Sequence, residues 1–268
     1  MILLAFDIRG AFKEFDQALA MLPDAESRAA VMRYKFDNDR QLALASQLLR
    51  RYVFVKYYGF EWDTIRFGSM TKGGKPVLLH PHESSSSPSA DTSYDFNISH
   101  HGHWVILAAT DQPGHCVGVD VVTMDTLPSS SSVTELIECF QPQLSPQEQH
   151  MLRHHPHPLE AFYGIWALKE SYTKAIGVGL YHELNQLNFY NSKEGLIQMS
   201  NTGKEQPNLG FHMGWLDEKT LAAVCYDDDK STLCKDLDDP PLQIGDVFRG
   251  RIDRHFRIVT LHDCMSVK

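Results

Sequence analysis

Three short stretches of this sequence carry side chains that could do chemistry. The first is Val117-Gly118-Val119-Asp120-Val121. Read as a strand, it turns Val117, Val119 and Val121 to one face and Gly118 and Asp120 to the other. A carboxylate at the end of so apolar a strand must be hydrogen-bonded, ion-paired or metal-bound, because burying it bare is costly. An aspartate capping the turn beyond the strand is the plainer reading. The second stretch is Trp166-Ala167-Leu168-Lys169-Glu170-Ser171-Tyr172-Thr173-Lys174. Helical spacing puts Trp166, Glu170 and Lys174 on one face and turns Lys169 elsewhere. A surface Glu–Lys pair beside a core tryptophan would explain that face. A carboxylate for a hard cation, next to an ammonium for an anionic ligand, would explain it too. The apolar neighbours Phe162, Ile165, Leu168 and Ile176 favour the second reading.

The third stretch is Asn97-Ile98-Ser99-His100-His101-Gly102-His103. Its three histidines suggest zinc, but Asn and Ser are poor zinc ligands and the spacing fits no usual site. A turn rich in amide, hydroxyl and imidazole groups suits an anion or a phosphate, and a plain polar turn between strands fits equally. Lys72-Gly73-Gly74-Lys75-Pro76 lacks the Gly-Lys-Ser/Thr ending of a P-loop, although its two lysines could still hold phosphate oxygens. The run His154-His155-Pro156-His157-Pro158 contains prolines that oppose a convergent ligand geometry, so it reads as an exposed loop.

These groups need elements to position them. Ile2 to Phe6 reads as a strand, and Glu26 to Tyr58 is rich in helical pattern, with a stripe of Leu42, Leu44, Leu48 and Leu49. Val77-Leu78-Leu79 and Trp104 to Ala109 read as apolar strands, separated by a serine-rich loop over 83–93. Asp111-Gln112-Pro113-Gly114 is a turn signal and marks a domain boundary. Beyond it the pattern predicts a strand over 116–122, helices over 133–140 and 146–153, and a long helix from Leu159 to Ile176 that stops at Gly177. Leu187–Tyr190, Phe211–Trp215 and Leu221–Tyr226 read as strands. The segment after Asp227 has no clear pattern.

The 268 residues suffice for one large or two smaller domains with a real core. Hydrophobic residues at 43% and charged residues at 22% argue against disorder. A formal net charge of −9 disfavours nonspecific binding to nucleic acid or to anionic membrane. The five cysteines (Cys116, Cys139, Cys225, Cys234 and Cys264) are odd in number and form no C-x-x-C pair, which fits a reducing compartment. The amino terminus has no basic lead-in and too short an apolar run for a signal peptide, and no stretch approaches the ~20 apolar residues of a membrane span. The expectation is a cytosolic protein.

In order along the chain, Gly-Lys-Pro (74–76), Phe-Asn-Ile-Ser-His (96–100), Val-Gly-Val-Asp (117–120) and Trp-Ala-Leu-Lys-Glu-Ser-Tyr-Thr-Lys (166–174) resemble the 4′-phosphopantetheinyl transferases. The likeness is to the larger, monomeric, animal cytosolic type and covers about residues 1 to 226. It implies an α+β fold of two similar subdomains, 1–113 and 114–268, in a pseudo-twofold arrangement with coenzyme A at their interface. It also implies transfer of the phosphopantetheine arm from coenzyme A to a serine of an apo carrier domain, leaving adenosine 3′,5′-bisphosphate. Carriers of fatty-acid synthase and aminoadipate-reductase type are the partners it suggests.

Residue by residue, the resemblance gives Asp120 and Glu170 as magnesium ligands and Lys174 as the lysine near the diphosphate. It gives Asn97, Ile98, Ser99 and His100, Ser171, and the loop Met70, Thr71, Lys72, Gly73, Gly74, Lys75 as coenzyme A contacts. Since the carrier supplies the serine nucleophile, this chain needs a base; Glu170 is the first candidate and Glu148 the second. Three departures stand out. Val122 occupies a position where many bacterial members carry an acid, so the third protein ligand is absent, replaced by water or supplied by His101. Met70 stands where animal members have arginine. Arg28 or Arg33 is the nearest basic residue for the 3′-phosphate. The missing acid leaves room for a noncatalytic coenzyme A-binding or carrier-docking homologue, and a generic metal-dependent phosphohydrolase is a third reading.

Overall fold

The computed structural model describes residues 1–69, 74–79, 91, 93–124, 132–178, 183–205, 208–227 and 241–268. The chain opens with β1 (Ile2–Asp7), α1 (Phe15–Ala20), α2 (Ala25–Met32) and α3 (Asp37–Tyr58). Then follow β2 (Arg66–Ser69), β3 (Pro76–Leu79), β4 (Asp95–His101), β5 (Trp104–Thr110) and β6 (Val117–Thr123). Helices α4 (Val133–Cys139), α5 (Pro146–His154) and α6 (Pro158–Ile176) come next. The chain ends with β7 (Leu187–Asn191), β8 (Ile197–Asn201), β9 (Lys204–Glu205), β10 (Leu209–Trp215), β11 (Thr220–Asp227), β12 (Arg257–Ile258) and α7 (Leu261–Ser266).

The two long helices stop where local chemistry dictates. Gly59 and Gly177 follow α3 and α6 in the left-handed conformation, at φ 76° and 73°, which glycine adopts without steric cost. Helices α4 and α5 start from capping boxes, Ser132 with Glu135 and Ser145 with Glu148, so amide groups that the first turn leaves orphaned find acceptors.

Two units form. One comprises residues 1–115 and 256–268, the other 116–255. In the first, β1 lies between β12 and β5, and β5 pairs with β4. Helix α3 buries Leu44, Leu48 and Tyr52 in one core with Leu4 and Phe6 of β1 and Val105 and Leu107 of β5. In the second, β11 lies between β6 and β10, and α6 contributes Phe162, Ile165 and Leu168 to a core shared with Met213, Leu221 and Ala223. The same topology is used twice: a first strand, a long helix, then a closing hairpin whose last strand inserts beside the first, in the orders β1-β5-β4 and β6-β11-β10. The fold is α+β with two similar units, as the resemblance implies.

The structure divides at His115/Cys116, next to the Asp111–Gly114 turn. The carboxy-terminal assignment needs correction. Residues 256–268, placed in the second domain by sequence, belong to the first unit, because β12 pairs in parallel with β1 (Leu4 with Arg257) and Phe256, Val259 and Cys264 are buried.

A buried ion pair fixes the three elements around α6. The Glu148 carboxylate accepts from the amides of Ser145 (2.8 Å) and Phe189 (3.0 Å) and meets Lys169 Nζ at 2.8 Å, both side chains being fully buried. Lys169 Nζ also donates to the carbonyls of Leu184 and Leu187, each at 2.7 Å, so its three hydrogens have three acceptors. Burial pushes the Glu148 pKa up and that of Lys169 down, each opposed by the other's charge. Removing one partner strands a buried charge, so Lys169→Met is expected to cost about 3–5 kcal/mol in urea unfolding. A cost below about 1 kcal/mol would show that the pair does not hold α5, α6 and β7 together.

Candidate active site

The site begins with a missing side chain. A methyl group on Gly118 would lie 2.0 Å from the Ser171 carbonyl oxygen and 2.4 Å from the Ala175 amide nitrogen. The absence of a Cβ therefore lets α6 rest directly on β6. Asp120 is two residues along the same strand and shares that face, so its carboxylate points at the helix. Lys174 Nζ meets Asp120 Oδ1 at 2.5 Å. Asp120 is 6% exposed, and the Lys174 side chain 26%.

Glu170 lies one turn before Lys174 on α6. Its Oε1 is buried without a hydrogen-bond partner. Burial pushes the Glu170 pKa up, the Asp120 charge raises it further, and Lys174 pulls it down. Two carboxylates, one on β6 and one on α6, thus lie near enough to interact, with the Lys174 ammonium on Asp120. A divalent cation with hard oxygen preference fits this set. Trp166, on the same helix face, packs against Phe140 at 4.8 Å between ring centroids and gives the site an apolar flank.

Other residues singled out from sequence are placed differently. Glu148 is no base candidate, because the amides and ammonium described above occupy its buried carboxylate. Ser171 is fully buried and its hydroxyl donates to the Leu168 carbonyl at 2.8 Å, so its side chain offers nothing to a ligand. Asn97, Ile98, Ser99 and His100 lie on strand β4 and not in a turn. Asn97 and Ser99 are buried on one face of that strand. Ile98 is on the other and packs against the first unit's core, while His100 is exposed. His101, suggested as a further ligand, closes the β4–β5 hairpin opposite Trp104. Arg28 donates to the Leu22 carbonyl at 2.5 Å, and Arg33 lies over the Tyr34 ring. Lys75 is ion-paired with Asp95. Met70, Thr71, Lys72 and Gly73 fall outside the described residues. Val122 faces α6 within the hydrophobic core, so no third acid stands beside Asp120 on β6.

Two features escaped the sequence reading. Lys169 is the buried partner of Glu148, and Gly118 controls the helix–strand distance. A glycine inside a valine-rich strand is the signal that could have revealed the close approach.

Residues 9–112 match the family model described as 4′-phosphopantetheinyl transferase, N-terminal, and residues 116–225 match the 4′-phosphopantetheinyl transferase superfamily. The human L-aminoadipate-semialdehyde dehydrogenase-phosphopantetheinyl transferase is 30% identical over 256 residues, covering 90% of this chain and 77% of that one. The Xenopus laevis protein of the same name is 36% identical over 167 residues, 61% of this chain and about half (52%) of its own length. The 4′-phosphopantetheinyl transferase psf-1 of Bacillus pumilus is 28% identical over 82% of this chain and 84% of its own. Among solved structures, Thermotoga maritima holo-acyl-carrier-protein synthase matches 42% of this chain and 62% of that one, at 21% identity and a TM-score of 0.34.

If the contact at Gly118 sets the site, Gly118→Ala should force α6 away from β6 and cost about 1–3 kcal/mol in urea unfolding. A variant as stable as the parent would show that the strand and helix can separate without penalty.

Proposed function

Because this chain belongs to the 4′-phosphopantetheinyl transferases, which move the phosphopantetheine arm of coenzyme A onto a serine of a carrier protein, we propose that Asp120 and Glu170 hold a magnesium ion beside which Lys174 and Glu170 carry out that transfer. The observation that carries this reading is the buried, unpartnered Oε1 of Glu170 facing the Asp120 charge. An acceptor left bare in a low-dielectric site costs free energy that a cation would recover.

Each residue has a role. Asp120 supplies an anionic oxygen from a rigid strand. Lys174, a quarter exposed, can turn its ammonium from Asp120 to the diphosphate of coenzyme A and steady the departing adenosine 3′,5′-bisphosphate. Glu170 takes the proton of the carrier serine as the serine oxygen bonds to phosphorus and the bond to the bridging diphosphate oxygen breaks. A bound magnesium ion would neutralise charge on the diphosphate oxygens. The loop Met70, Thr71, Lys72, Gly73, Gly74, Lys75 and the strand residues Asn97, Ser99 and His100 complete the proposed coenzyme A contacts. Carriers of aminoadipate-reductase and fatty-acid-synthase type are the proposed partners; the names of the animal relatives support the first. We place the protein in the cytosol as a monomer; the odd cysteine count supports a reducing compartment. No helix among the described residues is long and apolar enough to cross a membrane.

The direct test mixes the protein with coenzyme A, magnesium and several apo carriers and weighs the carriers. A gain of one phosphopantetheine arm is expected, and no gain on any carrier would overturn the proposal. Asp120→Ala should slow turnover on the order of 10²–10³-fold, whereas near-normal turnover would remove Asp120 from the metal site.

Glu170 adds a pH signature. Its carboxylate must be ionised to bind the cation or accept a proton, and its raised pKa makes it protonate at higher pH than an ordinary glutamate. Activity at limiting magnesium should therefore fall on the acid side, and added magnesium should move that limb to lower pH by competing with the proton. In the metal-free protein the sign for stability is opposite. A carboxyl whose folded pKa is raised stabilises the fold below its unfolded pKa and loses that contribution as pH rises through the folded value. Glu170→Gln should thus raise the melting temperature of the metal-free protein at neutral pH, on the order of 2 °C, while abolishing turnover. A lowered melting temperature would contradict the charge crowding.

A further inference from the structure

A second convergence of ligand-type side chains lies within the second unit and shares no residue with the Asp120–Glu170 site. His212 on β10 is 6% exposed, and the Asp253 carboxyl is 2% exposed. That carboxylate holds one imidazole on each oxygen: His212 Nε2 at 2.5 Å from Oδ2 and His255 Nδ1 at 2.9 Å from Oδ1. The three ligand atoms all lie within 4.8 Å of one another, and the two rings are 4.3 Å apart between centroids.

The surrounding backbone makes room for the cluster. A methyl group on Gly214, two residues beyond His212 on the same face of β10, would fall 1.6 Å from Asp253 Oδ2. The Asp253 amide donates to the Trp215 carbonyl at 2.8 Å, and the His255 amide donates to Asp253 Oδ1 at 2.7 Å. An adjoining cavity of about 180 Å³ is walled by Trp215, Leu242 and Val247 and bordered by Arg251 and Arg254.

We infer that His212, Asp253 and His255 bind a zinc-class divalent cation. Two imidazoles and one carboxylate are a borderline-soft donor set, unlike the oxygen pair of Asp120 and Glu170. Bonds of about 2.0–2.2 Å in tetrahedral geometry put neighbouring ligand atoms about 3.3 Å apart, inside the range of separations observed here, so small side-chain rotations seat the ion. The fourth position faces the cavity and takes water or a small anion drawn by the bordering arginines. The ion ties the 246–255 segment to β10, just before the chain enters the first unit at Phe256.

The test uses the full chain in excess magnesium, which occupies the hard oxygen site. One equivalent of zinc should be retained through gel filtration, and cobalt(II) in its place should give the visible absorption bands of a four- or five-coordinate ion. Asp120→Ala should keep that equivalent. His255→Gln, at the less buried edge of the cluster, should lose it while its circular dichroism matches the parent. Should His255→Gln misfold, His212→Gln gives the same readout. Zinc retained by both folded histidine variants would mean that the cysteines or another group hold it. That result, or no zinc retained by the parent, overturns the inference.

Discussion

Helix α6 lies against strand β6 at a separation that one methyl group on Gly118 would forbid. Everything proposed for the site follows from that contact. Asp120 is presented by a strand that shares hydrogen bonds with β11 along its whole length, and Glu170 and Lys174 by a helix whose opposite side is core. Neither element can shift alone. The Asp120 and Glu170 carboxylates are thus held near one another, and the Asp120 charge raises the Glu170 pKa.

The two units repeat one topology and fill it with different chemistry. In the first, Phe54 on α3 sits among the rings of Tyr58, Phe60, Phe67, Tyr94 and Phe96, and Arg51 on the same helix is buried against Asp24 at 2.9 Å. In the second, the helix in the equivalent position carries Lys169 inward to Glu148 and Glu170 and Lys174 toward β6. A buried ion pair is a poor source of stability. Here it secures the orientation of α6 about its own axis, because Lys169 cannot leave its three acceptors without stranding a charge. That orientation decides which way the next residue, Glu170, points.

Local pattern revealed the strands and helices that are apolar along one face. Ile2–Phe6, Trp104–Ala109 and the helix ending at Gly177 lie within a residue or so of their positions in the structure. The order of the four motifs led to the family, although neither Asp120 nor Glu170 could be distinguished from an ordinary surface acid by itself. The failures share one cause: they turn on partners remote in sequence. Glu148 looked available as a base until Lys169 and the Phe189 amide, 21 and 41 residues away, were seen to close on it. The resemblance gave Ser171 as a coenzyme A contact, but its hydroxyl turns back to its own helix. His212 and Asp253 are 41 residues apart, a spacing no ligand motif encodes. Strand β12 is two residues long and owes its existence to β1, so it leaves no periodic trace.

The pairing of β12 with β1 also bears on how the molecule is made. Phe256, Val259 and Cys264 are interior residues of the unit that contains β1, so that unit is assembled from two segments separated in sequence by the whole of the other unit. The intervening unit, 116–255, is contiguous and can close during synthesis. Closing the first unit therefore requires the chain to span the whole second unit before β12 can cover the sheet edge beside β1.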